Sequence, residues 1–274
     1  MINCLIFSRD RACQLDLLLR SIRDNFKDIG RVDILIKTTE DCYLGSYLSL
    51  WKKFICIRTQ DIHWHFEHSY ADFKSAVMDI VKSFNEPYTI VFSDDDVVIR
   101  PVDLDIIKHY KDVVNAISLR MGKHITYCYA KDVYMDLPKF VEQDGYMLWN
   151  WQQYRRDLDW GYPMSMAGNI WRTEPLKELW NKIDFTAPNW IEGYMVGHAP
   201  QDKPFTVSFK EQHVYNVANN LVQTVCKNRH SGKYPVGELN RKFLDGYRIS
   251  TETLYGKTFN SANGEVEYKL IKGE

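Results

Sequence analysis

The chain lacks most of the devices by which a sequence announces its chemistry. Its six cysteines (Cys4, Cys13, Cys42, Cys56, Cys128 and Cys226) form no C-x-x-C pair. In a chain of this size they read as reduced, mostly packed thiols of a cytosolic protein. There is no G-x-x-x-x-G-K-[ST]: LYGKTFN holds Gly-Lys-Thr without the earlier glycine. There is no G-x-G-x-x-G either, so neither glycine-rich phosphate loop is available. No apolar stretch approaches the length of a membrane span. The opening MINCLIFSRDRA reaches Arg9 after too short an apolar run for a signal peptide. An excess of charge is missing as well. Thirty-five basic against thirty-six acidic side chains leave a net charge of −1, which gives no reason to expect tight binding to nucleic acid or an anionic membrane. No repeat, low-complexity tract or Pro/Gly/Ser-rich linker divides the chain. The expectation is one soluble, cytoplasmic unit over residues 1–274, with an ample core.

What is present alternates. INCLIF (2–7) has the composition of a strand, and in the following SRDRACQLDLLLRSIRDNF the residues Leu15, Leu18, Leu19, Ile22 and Phe26 share a helical face, with Ser8 or Asp10 as cap. VDILIKT (32–38) and FICIRT (54–59) read as further strands. SYADFKSAVMDIVKSF puts Phe73, Val77, Ile80, Val81 and Phe84 on one stripe, and YTIVFS reads as the fourth strand. Strands alternating with helices predict an α/β fold with a mostly parallel central sheet flanked by helices. Residues 1–100 form its first half, 101–250 an elaborated second half, and 251–274 a polar tail. In the second half PVDLDIIKHYKDVVNAISLR reads as a helix, ITYCYA and HVYNVA as strands, and 146–171 as mostly loop. TEPLKELWNKI reads as a helix capped by Thr173, with Pro175 in its first turn. VGELNRKFLDG reads as a helix ended by a left-handed Gly246. Six of the eight tryptophans (Trp149, Trp151, Trp160, Trp171, Trp180 and Trp190) crowd one middle segment, as core or as a platform that stacks on a sugar or base.

The chemistry concentrates at YTIVFSDDDVVIR. Three adjacent carboxylates where a strand leaves the core repel one another, and in parallel sheets ligands bind beyond the carboxyl ends of strands. Ser8, Arg9 and Arg11 follow the first strand and should line the same edge. Hard cations such as Mn²⁺ or Mg²⁺ take carboxylate oxygens together with phosphate oxygens, so Asp94 and Asp96 can share an ion that bridges a nucleotide diphosphate. His63, His65 and His68 in HWHFEH lack an acidic or cysteine partner at metal-site spacing.

LIFSRDRACQLDLLLRSI, ADFKSAVMDIV, YTIVFSDDDVV, YPMSMAGNIWRTEPLKELW and IDFTAPNWIEGYM together resemble nucleotide-sugar glycosyltransferases of the GT-A (Rossmann-like) fold, close to family 2. HVYNVANNLVQTVCKNRHSGKYPVGELNRKFLDG is similar to the C-terminal portion of bacterial and viral members, so the resemblance spans about residues 2–250. It implies a metal-dependent transfer from a nucleoside-diphosphate sugar, a UDP-sugar in the first place, to an acceptor hydroxyl with inversion. Carried onto this chain, Asp96 is the direct metal ligand, and Asp94 binds the ribose or the metal through water. Asp95, Ser8, Arg9, Arg11 and Lys74 contact the nucleotide, and His213 or His230 completes the metal site. Glu192 in APNWIEGYM stands where the family places its general base, although Asn189 and Glu192 also have capping-box spacing. Asp157 and Asp159 are lesser alternatives. An Asp-Gly-His common in the family is Ala167-Gly168-Asn169 here. Acceptors left open are a glycan, a lipid-linked sugar, a protein and a hydroxymethylated DNA base. Two other functions fit the same residues: nucleotidyl transfer with release of pyrophosphate, and a non-catalytic sugar-nucleotide-binding module.

Overall fold

The structure, a computed structural model, describes residues 1–55, 61–67, 73–110 and 114–273. The first half lays down β1 (Ile2–Arg9), α1 (Ala12–Asn25), β2 (Ile29–Lys37), α2 (Asp41–Ile55), β3 (Asp61–Phe66), α3 (Phe73–Lys82) and β4 (Tyr88–Ser93). Next come β5 (Asp96–Val98), α4 (Asp105–Tyr110), β6 (Val114–Ser118), β7 (Tyr127–Cys128), β8 (Val133–Tyr134), β9 (Val141–Gln143), β10 (Tyr146–Asn150) and β11 (Asn169–Arg172). The remainder is α5 (Thr173–Lys182), α6 (Pro188–Gly197), β12 (Phe205–Phe209), β13 (Val214–Val217), α7 (Val236–Leu244), β14 (Tyr247–Ile249), β15 (Asn263–Gly264) and β16 (Leu270–Lys272). Nine strands form one sheet in the order β3-β2-β1-β4-β11-β6-β12-β10-β9. Pairing is parallel from β3 through β4 and between β6 and β12, and antiparallel elsewhere, so only β11 and β10 run against the rest.

The period of two in a strand decides which core each side chain enters. In β1, Cys4 and Ile6 join the cluster made with Leu15, Leu18 and Ile22 of α1, Tyr47 and Leu50 of α2, and Phe243 of α7. Leu5 and Phe7 point the other way, to Val77 and Val81 of α3, Leu176 and Trp180 of α5 and the tryptophan cluster. Helices cover both faces, which is why β1 is apolar nearly throughout rather than alternating. Each fully buried Leu or Ile contributes about 1.5–3 kcal/mol. The expected mostly parallel α/β sheet flanked by helices is therefore present.

Several local expectations are corrected. Phe54 and Ile55 end α2 instead of opening a strand; residues 56–59 lie outside the described part, and the third strand is β3, seven residues later than expected. Among the described residues, the helix read over 101–120 is α4 alone, and VNAIS is β6 in the main sheet. ITYCYA yields only the two-residue β7, and the segment read as loop begins and ends in strands β10 and β11. Neither Ser8 nor Asp10 caps α1, which starts after Arg11 without a side-chain cap. Ser8 bonds to Asp94, while Asp10 accepts from Thr39 N and Oγ1. Thr173 is inside α5, its hydroxyl bonded to Glu86 O. The tail is tied in through β15 on β13 and β16 on β14.

Candidate functional site

Because β1, β2, β3, β4 and β6 point one way, whatever follows each of them collects on one edge. A cavity of about 650 Å³ opens there, within the range of small-molecule sites. Its walls take Ser8 and Arg9 from the end of β1, Lys37 from β2, Glu67 after β3, Asp94 and Asp95 after β4, and Arg120 after β6. Ser165, Met166 and Ala167 enter just before the antiparallel β11. Gly168 is needed in that approach: its φ is +66°, and a Cβ there would lie 2.8 Å from Val214 Cγ1.

The acidic triplet is held by a specific set of donors. Asp94 Oδ2 accepts from Ser8 Oγ and from Arg9 N, both at 2.9 Å, and its Oδ1 accepts from Arg11 Nη1 at 3.0 Å. The same Nη1 donates to Asp95 Oδ2 at 2.7 Å, and Arg11 Nη2 donates to Asn220 O. Tyr47 Oη sits 2.6 Å from Ser8 Oγ and accepts from Arg11 N, fixing the loop after β1. Asp96 does not line the cavity. Its Oδ2 accepts from Ser93 N at 2.7 Å, which closes the turn, and its Oδ1 accepts from Asn216 Nδ2 at 2.9 Å. That amide nitrogen is also 2.9 Å from Asp95 Oδ1. Asn216 arrives there because β13 pairs antiparallel with β5 in a register that sets Asn216 opposite Asp96.

A neutral amide between two carboxylates is poor compensation for their charge. Burial, followed by the charge of Asp95, holds the Asp96 carboxyl well above the usual range. Asp94 is also raised by burial, which outweighs the lowering effect of Arg11. Among the described residues no three His, Cys, Asp or Glu side chains converge as a metal site. The donor set at this point fits a hard cation nevertheless, because a single nitrogen already sits 2.9 Å from an oxygen of each carboxylate. With the Asn216 amide turned, three oxygens would face that point.

The tryptophans do not line the cavity but support part of its wall from the core. Trp149, Trp151, Trp160, Trp171 and Trp180 are core, and only Trp190 of the six is exposed, at 48%. Trp149 Nε1 donates to Trp160 O, Trp160 Nε1 donates to Ile125 O, and the two rings meet edge to face at 5.1 Å. The turn they pin carries Asp159, followed by Tyr162, on the cavity. At Gly161 a Cβ would fall 2.2 Å from Arg155 O, so the turn has no room for another residue. Glu192 also lines the cavity, and its Oε1 accepts from Met166 N at 3.1 Å. The capping-box reading fails: α6 is capped by Ala187 and begins at Pro188, so Glu192 lies beyond N3. Asp157 lines the rim and pairs with Arg155.

Ser8, Arg9, Arg11, Asp94, Asp95, Glu192 and His230 thus meet around one cavity, with Asp96 directly behind it. Lys74 and His213 do not line it. Lys74 pairs with Asp184 at 2.9 Å on the surface. His213 packs its ring against Phe209, centroids 4.0 Å apart. His63 and His65 pair with Asp61 and Asp33, and His68 lies outside the described residues. Burial lowers the His213 pKa from 6.5 to about 4. The unfolded chain therefore takes up this proton first, and its contribution to stability is whole above pH 6.5 and lost as pH falls from 6.5 toward about 4. Urea unfolding of His213→Phe against the parent should show a smaller loss of stability over that window. An unchanged acid limb would refute the burial of this ring.

Lys37, Glu67, Tyr47, Arg120, Asn216 and Asn220 were not singled out from the sequence. Lys37 closes its strand as Arg9 closes β1, so the strand-end rule could have found it; its Nζ bonds Glu67 Oε1 at 2.7 Å. Asn216 is marked only by strand register.

The fold is similar to that of S. aureus TarS. Its crystal structure superposes with a TM-score of 0.50 and 14% identity, over 80% of this chain and 37% of that one. The TarS 1-349 structure in complex with UDP gives 0.50 and 13%, over 80% and 61%. A UDP-glucose pyrophosphorylase complexed with UDP-glucose is less similar, at 0.45 and 11%, over 77% and 91%. The chain spans less than two thirds of the length of either TarS chain. Neither a protein-family model nor a curated protein matches the chain. The fold is GT-A-like, and among the described residues no helix is long and apolar enough to cross a membrane.

Proposed function

We propose that the chain is a glycosyltransferase that moves a sugar from a UDP-sugar to an acceptor hydroxyl, with Mn²⁺ or Mg²⁺ at the acidic triplet. The observation that carries this reading is the placement of Arg9, Arg11, Asp94, Asp95 and the carboxylate of Glu192 around a single cavity, with Asp96 tied to Asp95 through Asn216. The likeness in fold to TarS 1-349, solved with UDP, supports the choice of nucleotide.

In this reading Phe7, Leu35 and Phe73 wall the base, and Lys37 and Glu67 meet its polar edge. Arg9 and Arg11 face the diphosphate; the Nε of each is buried without a hydrogen bond within the protein, that of Arg9 lying 3.8 Å from Asp10 Oδ2. Asp95, Asp96 and Asn216 would hold the cation, which would supply neutralising charge to the departing diphosphate. Asp94 anchors Arg11 rather than the metal. Glu192 accepts the proton of the acceptor hydroxyl while that oxygen attacks the anomeric carbon, and the bond from that carbon to the diphosphate oxygen breaks, with inversion. A glycan hydroxyl is the favoured acceptor, since the net charge of −1 offers nothing to a duplex.

Incubation with UDP-sugars and Mn²⁺ tests the reading: free UDP should appear. A nucleotide-linked product with pyrophosphate would mean nucleotidyl transfer, and binding without turnover over a broad acceptor panel would mean a binding module. In calorimetry, Asp95→Asn should weaken UDP binding in Mn²⁺ by about tenfold or more and make it insensitive to chelator. If the variant keeps its full response to Mn²⁺, Asp95 is not a ligand.

A further inference from the structure

Two buried polar atoms on the cavity wall have no partner within the fold, and they are of opposite kind. Arg120 and Asp159 pair through one bond only, Arg120 Nη2 donating to Asp159 Oδ1 at 2.6 Å. A guanidinium and a carboxylate can meet as a fork with two parallel bonds. Here they do not, and Arg120 Nε and Asp159 Oδ2 are left buried without a hydrogen-bond partner. Both residues line the cavity, and only 8% and 9% of their surfaces are exposed. The Cys128 thiol, a weak donor, also faces the Asp159 carboxylate. Natural folds seldom leave such groups unmade unless water or a ligand completes them.

The pair lines the same cavity as Asp94, Asp95, Tyr162 and Glu192. Arg120 is close enough to Asp96 and to Tyr162 for its charge to be felt at both, and Tyr162 is close enough to Glu192 to feel its charge. Resting on the nucleotide-sugar reading, we propose that Arg120 Nε and Asp159 Oδ2 together hold hydroxyls of the sugar being transferred. A hydroxyl both accepts and donates, so one hydroxyl, or two neighbours on a ring, can take the N–H and fill the lone pair together. A phosphate would meet repulsion from Asp159, and an ammonium from Arg120. Since the two charges already offset each other, the site selects a neutral polyhydroxyl group. The tryptophan-pinned turn gives Asp159 the rigidity that such selection needs.

The test is calorimetric titration with UDP and with UDP-glucose, UDP-galactose, UDP-GlcNAc and UDP-glucuronic acid. It compares the parent chain with Arg120→Met/Asp159→Leu, which removes both charges so that neither is stranded. The parent should bind at least one UDP-sugar about tenfold more tightly than UDP, the size of a hydrogen bond to a charged group. The double variant should bind UDP as the parent does and lose that gain. Should the double variant not fold, Asp159→Asn preserves the shape of the pair and reads the same ratio. Retention of the gain in a folded variant overturns the proposal, as does a parent that binds UDP and gains nothing from any of the four sugars. A parent that does not bind UDP removes the nucleotide-sugar reading itself, and this site with it.

Discussion

Glu192→Gln lowers sugar transfer by about 10²–10⁴-fold, the usual contribution of a positioned general base, and leaves UDP affinity within about twofold. The substitution keeps the shape of the side chain and an oxygen that can accept from Met166 N, the bond that Glu192 Oε1 makes at 3.1 Å. The segment 165–167 should therefore stay in place, and only the proton acceptor is removed. The start of α6 at Pro188 frees Glu192 from any capping duty, so loss of a helix cap cannot account for the effect. Steady-state kinetics with UDP release as readout separate the outcomes. A fall in kcat with unchanged KM fits the base, whereas parent-like turnover removes Glu192 from the chemistry.

Arg11→Met has the larger structural consequence. Nη1 of Arg11 spans Asp94 and Asp95, and Nη2 reaches Asn220 O, so one side chain joins the loop after β1, the acidic triplet and the segment after β13. Burial works against its charge, but Asp95 and Asp94 more than offset that and keep it protonated. Removing one member of a buried ion network costs about 3–5 kcal/mol, because the remaining charges are left uncompensated. The expected result is a chain of clearly lower unfolding midpoint that no longer binds UDP. Arg11→Lys keeps the charge without the planar fork, so it should recover part of the stability and little of the binding. A folded Arg11→Met chain with parent-like UDP affinity would contradict the assignment.

The first half of the fold was legible because each of its elements carries one clear period. Leu15, Leu18, Leu19, Ile22 and Phe26 are all buried on the sheet, as are Phe73, Val77, Ile80 and Val81. Beyond residue 100 the periods conflict. Ile106, Tyr110, Val114 and Ile117 fit a helical stripe even though the last two belong to β6, since a five-residue strand is too short to show its own alternation. Phe54 and Ile55 resemble the opening of a strand because they begin the apolar run Phe54–Ile57, although they close the helix α2. At the site, strand ends announced Ser8, Arg9, Arg11, Asp94 and Asp95. Arg120 and Asp159 meet across 39 positions of chain, and Asn216 meets Asp96 across 120. Contacts of that kind are made by sheet register and tertiary packing, which no local pattern encodes.

Anomalous diffraction from crystals grown with UDP and Mn²⁺ tests the central claim most directly. A manganese peak bounded by Asp95, Asp96 and the turned amide of Asn216, joined to the diphosphate beside Arg9 and Arg11, is the predicted result. Fully occupied UDP with no metal at that point, or UDP bound away from the edge formed by β1 and β4, would contradict it.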